Sequence, residues 1–485
     1  MSSNASSSKN LSWYINCGIT VALFFIIGML PPFGQITPVG MKVLAAFVGM
    51  LYGWLTVGFA WPSMLGMLFL GLSGLTNTSV SSVLSSGWGN INACILVIMG
   101  FAFAAYLDEC KLTDYIAAFF LTRKFIDNRP YVLVTVIFVA AFILGAFVNL
   151  FAGIFVMWAI MYKLFDMVGY EKRSMRVAYI LGAVIFAAQM GSFWLPFHAS
   201  AIMYGGFLTS ATGISITFTQ WLVFWGIMSI AVAAIFIGLG KFVLRLDFSA
   251  IAKTENFAYL AGQKLTFEQK FAIADLVVMI AILMAPDILP KGTALHTLVK
   301  GIGVPGAFII AMVIPAIIRY NGKPLMDIAA CTKTTSWDVI WLLVATMPIG
   351  TAMQSADTGI IATVVAFVMS LVGDMHWFVF TIITTVALAL ATQVSHNLIL
   401  AIVLFGPMAV VCQNLGGNPA IWFMINVGAN IAAFVTPAGS ATSAVYHGLT
   451  EWVTAKQAYL MGTIWLIAVL AGALSIGFIV GPMIF

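Results

Sequence analysis

Apolar runs follow one another along almost the whole chain, separated by short polar breaks. Many approach the roughly 20 helical residues needed to cross a hydrocarbon core. They are continuous, as in 91–107 and 464–480, and lack the alternating segments of about ten residues that mark a membrane β-barrel. The pattern predicts helical spans at 12–30, 37–54, 57–73 and 91–107, with a short amphipathic piece at 112–123. Residues 131–165 form two apolar runs meeting at Val148-Asn149-Leu150, and spans follow at 175–210 and 219–240. Beyond a charged stretch, 241–270, the pattern resumes at 271–288, 303–318 and 337–356, with a short piece at 358–371. Residues 377–414 again form two runs, meeting at Ser395-His396-Asn397, and spans at 419–453 and 457–483 end the chain.

The two halves resemble each other. Trp88-Gly89-Asn90-Ile91 matches Trp337-Asp338-Val339-Ile340, and Asp108 matches Asp357. Asn149-Leu150 matches Asn397-Leu398, and Ser200-Ala201 with Gly205 matches Ser443-Ala444 with Gly448, all at a nearly constant spacing. The expected organisation is a disordered start (1–10), a first transmembrane helix (11–36), repeat 1 (37–240), a linker (241–270) and repeat 2 (271–485).

Composition sets the solvent. The chain is 62% hydrophobic and 8% charged, against about 25% charged in a soluble domain. It cannot cover a globular surface with polar groups, so its partner is the lipid bilayer. The net charge of +5 lies in loop residues and implies no nucleic acid. The five cysteines are scattered, without the clustered ligands that zinc needs.

Charge placement predicts orientation, because Lys and Arg collect in cytoplasmic loops. Arg123, Lys124 and Arg129 precede 131–165, and Lys163, Lys172, Arg173 and Arg176 close or follow it, so this run enters from the cytoplasm and returns. The run 377–414 has no Lys or Arg at either end and is expected to enter from outside. Lys42, Lys291 and Lys300 break the rule. Two full spans would need about 40 residues plus a turn; 131–165 is shorter and fits two half-depth helices better. The expectation is an all-α polytopic membrane protein of two inverted-topology repeats. It would have about 11 transmembrane helices and two re-entrant hairpins, the N-terminus inside the cell membrane and the C-terminus outside.

Re-entrant tips free backbone groups, which is tolerated only inside protein or along a wet cavity. Broken helices use this near the midplane, their N-termini facing anions and their carbonyls holding cations. Asn149 and Asn397 stand at the tips, where an amide serves both kinds of ion, although Asn also caps the helix that follows it. The other breaks are Gly191–His198 and Thr436–Ser443, where Pro and Gly interrupt the helical ladder; a simple kink is the plainer alternative. Ser200, Ser440, Thr442 and Ser443 add hydroxyls there. His198 lies at a break and His396 at a tip, candidates for substrate contact or proton coupling. No Lys or Arg occupies either tip.

This layout resembles the divalent-anion:sodium symporter family of the ion transporter superfamily, over roughly residues 35–485. In that family each tip carries Ser-Asn-Thr and each broken helix a Gly-Thr-Pro-Pro-Asn-like turn. Pro437-Ala438-Gly439-Ser440 keeps that frame, and Pro196-Phe197-His198 keeps it loosely. The tips keep Asn149 and Asn397, flanked by Val148 and Leu150 and by His396 and Leu398. The resemblance implies two sodium sites, one near Leu144, Asn149 and Pro196 and one near Thr392, Ser395, Asn397 and Gly439. It implies a substrate held between the tips by Asn149, His396, Asn397, Ser440 and Thr442. Phe147, Phe151, Phe193, Trp194 and Phe197 make the first half apolar, suiting a substrate with an apolar part, or else facing lipid or scaffold. The expected function is Na+-coupled, elevator-type transport of a small organic anion by a homodimer. Exchange or proton coupling on the same fold, and an ion channel, are the alternatives. No catalytic motif such as H-E-x-x-H or G-x-S-x-G is present, so an enzyme is not expected.

Overall fold

The computed structural model describes residues 11–89, 94–147, 150–196, 198–260, 262, 264–395 and 397–485, without the side chains of Ala152, Ala199, Ser200, Thr254 and Ile399. The N-terminal ten residues, Asn149, Phe197 and His396 therefore lie outside the described residues, as does the Ser200 hydroxyl.

A first helix, α1 (Leu11–Met29), precedes two sets of ten. The first set is α2 (Pro38–Thr56), α3 (Ala60–Gly71), α4 (Val80–Gly89), α5 (Cys94–Glu109), α6 (Leu112–Leu121), α7 (Pro130–Phe147), α8 (Leu150–Val168), α9 (Met175–Gly191), α10 (Ala199–Thr212) and α11 (Phe218–Gly238). The second is α12 (Phe267–Ile288), α13 (Ala294–Ile317), α14 (Ile328–Thr332), α15 (Trp337–Gln354), α16 (Ile360–Val372), α17 (Trp377–Ala391), α18 (Asn397–Asn414), α19 (Pro419–Asn430), α20 (Ala441–His447) and α21 (Ala455–Ile484). A two-stranded hairpin, Arg319–Tyr320 with Lys323–Pro324, joins α13 to α14. Long helices start at sharp caps: Thr217, Thr266 and Thr454 each accept a backbone N–H three residues on, while Gln220, Gln269 and Gln457 return the bond.

The fold is that of a polytopic α-helical membrane protein. Seven of the described helices are long and apolar enough to cross a bilayer, or up to nine if two bent pairs each count as one span. The expectation of about 11 came from counting each apolar run as one span. Several of those runs are shorter helices here, and α16 and α17, which the sequence already read apart, meet at 107°. The halves interlock: α5 packs on α13 and α14, while α15 packs on α3 and α4. Two elements were not expected. Serine-rich α4 is too polar to read as a span, and α13 starts at Ala294, well ahead of the expected 303. There Thr293 caps a first segment, and Gly303, at φ 59°, kinks it into the second.

Helices α7 and α8 fold back on each other around the 148–149 junction. The Cβ that Gly153 lacks would meet the Leu144 side chain at 2.8 Å, so the arms run antiparallel in close contact. With 18 and 19 residues, each arm is about 27 Å long at 1.5 Å per residue. They are not half-depth helices, and a mid-membrane tip requires steeply inclined arms. The linker wraps the base of this pair. Asn128 N–H donates to Ala252 O (2.9 Å), the Tyr131 hydroxyl to Leu246 O (2.6 Å), and Lys163 sits over the Tyr259 ring. In the linker, the Ser249 backbone N–H and hydroxyl both donate to Asp247 and hold its carboxyl below the ordinary carboxylate range. On the same face Lys172 pairs with Glu451, and Arg173 donates to Thr450 O (2.8 Å), tying the α8–α9 loop to the α20–α21 loop.

The tightest crossing is α7 on α9. A Cβ on Gly145 would lie 2.1 Å from Ala188 O, and one on Gly191 would lie 2.0 Å from Phe142 O. Both obstacles are backbone and cannot rotate away. Gly191→Ala should therefore destabilise the detergent-solubilised protein by about 1–3 kcal/mol, the usual cost of overpacking. Gly238→Ala, with open space around the added carbon, should be neutral or slightly stabilising. Thermal unfolding of the two variants side by side checks this; equal melting temperatures would contradict it.

Candidate functional site

The chain breaks twice inside its apolar interior, where the sequence placed candidate chemistry. In the first half α9 stops at Gly191 and α10 begins after His198. Ser192 Oγ donates to Gln189 O (2.7 Å), Trp221 Nε1 donates to Phe193 O (2.8 Å) and Trp194 Nε1 to Leu222 O (3.1 Å). His198 does not cap α10 with its ring; its Nε2 lies 2.8 Å from Ala146 O at the end of α7. Phe142 and Phe147 pack on Trp194, and buried Phe193 packs on Tyr204 and Trp225. These aromatics are internal structure, not a lipid-facing surface.

In the second half α19 stops at Asn430 and α20 begins after Ser440. The break is stitched from within. Ser440 Oγ accepts from Ser443 N–H (3.0 Å) and donates to Ala433 O (3.0 Å); Ser443 Oγ donates to Thr436 O (2.6 Å). His447 Nε2 lies 3.3 Å from Phe434 O. Gln393, which the sequence reading passed over, holds the end of α17 to this break. Its side-chain amide donates to Ala389 O (2.6 Å) and Ala432 O (3.2 Å), and its carbonyl accepts Val435 N–H (2.9 Å). Thr436 Oγ1 donates to Gln393 O.

The breaks are joined across the halves. Thr442 Oγ1 donates to Gln189 Oε1 (2.9 Å), from α20 to α9, and Asn430 Nδ2 donates to the Tyr204 hydroxyl (2.9 Å), from α19 to α10. All four side chains are buried. Each helix that leads into a break, α9 and α19, is thus pinned to the helix that leaves the break in the other half of the chain, α20 and α10. A lone amide in the apolar run 175–191 was the signal that could have found Gln189.

Two cavities sit along α5, α10 and α15. The smaller, about 410 Å³, lies between the hairpin ends and the breaks. Gln189, Ser192 and His198 are its polar side chains, and Phe101, Phe103, Phe147, Phe151, Leu342 and Leu398 are among its apolar ones. The larger, about 850 Å³ and more polar, is lined by Pro196, Thr209, Ser210, Ser215, Thr351, Gln354 and Ser355. Pro196 lines the larger and His198 the smaller.

The expected site residues divide accordingly. His198 lines the smaller cavity, and Ala441 and Leu398 bring the second half to it. Ser440, Thr442 and Ser443 are buried and bonded within the protein, so in this conformation their hydroxyls hold the break and do not face the cavity. Asn397 starts α18: its N–H donates to Gly439 O (3.0 Å) and its Oδ1 accepts Leu398 N–H (2.8 Å). Of the residues expected around a second-half cation, Thr392, Asn397 and Gly439 do converge. Thr392 O and Ala433 O would lie 2.8 and 2.9 Å from a Cβ on Gly439, an approach only glycine permits. Ser395 is half-buried nearby in sequence. This donor set is neutral oxygen, which suits a monovalent hard cation better than a divalent one, and no cluster of three or more His, Cys, Asp or Glu occurs among the described residues. In the first half Leu144 is buried, Pro196 lines the larger cavity and Ala146 O is met by His198.

No protein-family model matches the chain. Over 140 residues it is 29% identical to an uncharacterized transporter, sll0640, of Synechocystis sp.; the match covers 27% of this chain and 22% of that protein. Among solved structures, the YdaH transporter of Alcanivorax borkumensis, described as having an unusual topology, superposes with a TM-score of 0.59 at 13% identity, covering 97% of this chain and 98% of that one. MtrF of Neisseria gonorrhoeae, described as illuminating a class of antimetabolite efflux pumps, superposes with a TM-score of 0.60 at 14% identity, covering 94% and 97%. The fold is shared with these transporters. Membership of the divalent-anion:sodium symporter family, which the tips and breaks suggest, is not shown by these likenesses.

The Gln189–Thr442 bond should be energetically coupled. Gln189→Ala and Thr442→Val each leave one buried polar partner unpaired, at a cost of about 1–3 kcal/mol. The double variant should lose clearly less than the sum of the two single losses, measured by unfolding in detergent. Strict additivity would show that the two groups do not support each other.

Proposed function

We propose that this protein is a secondary transporter of a small organic anion with an apolar part, coupled to sodium. The observation that carries the reading is the pair of cavities along a broken helix, a form that lets one site face two compartments in turn. The smaller cavity holds no charged side chain, and its polar groups are one amide, one hydroxyl and one imidazole. An anion there would be oriented by hydrogen bonds and the helix N-terminus at Ala199, its apolar part resting on the phenylalanines. The likeness to YdaH and MtrF and the partial match to sll0640 support transport as the class.

In this reading the hairpins α7–α8 and α17–α18, with the broken helices, form a unit that moves elevator-fashion against the remaining spans, within a homodimer. The face carrying Lys163, Lys172, Arg173 and the linker is cytoplasmic, so α7–α8 enters from inside and α17–α18 from outside as inverted repeats. The C-terminus then lies outside the cell membrane. Sodium belongs to the second half, where Thr392 and Gly439 present backbone oxygens beside Asn397. His198 at Ala146 O favours a second reading for the first half, in which a proton on the imidazole replaces a cation. Exchange or efflux, the latter in keeping with how MtrF is described, would run on the same parts.

A thermal-shift screen of carboxylates, in sodium and in choline, tests this. At least one carboxylate should raise the melting temperature in sodium and much less in choline, since a ligand at a hundredfold its Kd adds about 2.7 kcal/mol. Asn397→Ala should fold and lose the sodium-dependent increment. Identical shifts in sodium and choline for every carboxylate would remove sodium coupling; no shift with any of them would remove the organic-anion reading.

A further inference from the structure

Helix α12 buries one face, formed by Gln269, Ala272, Asp275, Leu276, Met279 and Leu283. Asp275 is the exception among them in chemistry. It is 7% exposed, sits two turns inside an apolar spanning helix, and takes part in no hydrogen bond or ion pair among the described residues; its Oδ2 is fully enclosed without a partner. The Tyr106 hydroxyl of α5, on which the Asp275 carboxyl acts electrostatically, is likewise enclosed, with the Cys110 thiol one turn on as its neighbour. The buried carboxyl therefore has an enclosed hydroxyl of another helix near it.

A carboxylate in such a place would cost several kcal/mol without a cation or donors. The groups around it supply no ion pair. From α5 come Tyr106, Cys110 and Glu109; from α14 comes Cys331, whose thiol lies 3.8 Å from Glu109 Oε2; α12 itself carries Glu268, Lys270 and Asp287. Lys270, the cation of α12, is exposed and forms no ion pair with Asp275 among the described residues. Helix α11, packed on α12, has no titratable residue. The two on α13, His296 and Lys300, lie in its first turns, beside the opposite end of α12.

We propose that the Asp275 carboxyl, enclosed on the buried face of α12 and near the Tyr106 hydroxyl of α5, is a proton-binding site of the membrane-embedded protein. The apolar surroundings hold the neutral acid. Releasing the proton to water leaves a carboxylate that these surroundings cannot accommodate, so release requires water to enter or the helices around α12 to move. The site is wired to the smaller cavity, because Phe103, one turn before Tyr106 on α5 with rings 5.9 Å apart, lines that cavity. A change at Asp275 therefore reaches the wall of the proposed substrate site. This link rests on the transporter reading; the proton site does not.

The test is infrared spectroscopy of the purified protein, which needs no substrate. Near neutral pH, where ordinary carboxylates are ionised, wild type should show the C=O band of a protonated carboxylic acid. The band should vanish in Asp275→Asn and shift in frequency in Tyr106→Phe, which removes the nearby Tyr106 hydroxyl without altering the acid. Wild-type and Asp275→Asn spectra that coincide in the carboxylic-acid region would overturn the proposal. If Asp275→Asn fails to fold, absence of the band from wild type, or a band unmoved in Tyr106→Phe, would overturn it equally.

Discussion

The structure depends on how a helix broken inside a membrane satisfies its loose ends. A free N–H or C=O in hydrocarbon costs several kcal/mol, so a break survives only where the protein itself supplies partners. Here the partners come largely from side chains of other elements. Gln393 serves the second break from the end of α17, Trp221 serves the first from α11, and the Gln189–Thr442 and Asn430–Tyr204 bonds join each break to the opposite half. The two halves cannot be separated without exposing both breaks. The same bonds make the region a unit able to move without unravelling.

That requirement explains the division of labour among the polar groups. A hydroxyl that closes a break is not free to hold a solute, and Ser440, Thr442 and Ser443 are spent in this way. On the other half Gln189, Ser192 and His198 are also bonded within the protein, but they line a cavity otherwise walled by aromatic and aliphatic groups. The repeated sequence thus yields an unequal pair. One break is sealed by hydroxyls and lies beside converging carbonyls, while the other is wedged by tryptophan and phenylalanine and opens onto the cavity.

Much of this architecture was legible in the chain. Helix runs and the two breaks follow from periodicity, proline and glycine, because membrane helices must be long and apolar and any interruption stands out. The span count differs because several apolar runs are helices shorter than a full crossing. The bonding of the break hydroxyls was not legible for a different reason. Composition shows that a serine lies at a break, but whether it faces a cavity or its own backbone depends on a rotamer set by neighbours distant in sequence. Gln189, Gln393 and Asp275 went unread because a single polar residue in an apolar run carries no period. Their significance comes only from what they meet, which for Gln189 is Thr442 of the other half and for Asp275 is no hydrogen-bond partner among the described residues.

The halves also close their breaks differently. At the second break Gly439 lets Thr392 O and Ala433 O approach within 3 Å of where a side chain would begin, and Ala433 O accepts the Ser440 hydroxyl. At the first break Ala146 O has the His198 ring against it. The carbonyls of the two breaks are thus closed by different chemistry, a hydroxyl in one and an imidazole in the other. The Gln189–Thr442 bond joins them, so a rearrangement of either break strains the other.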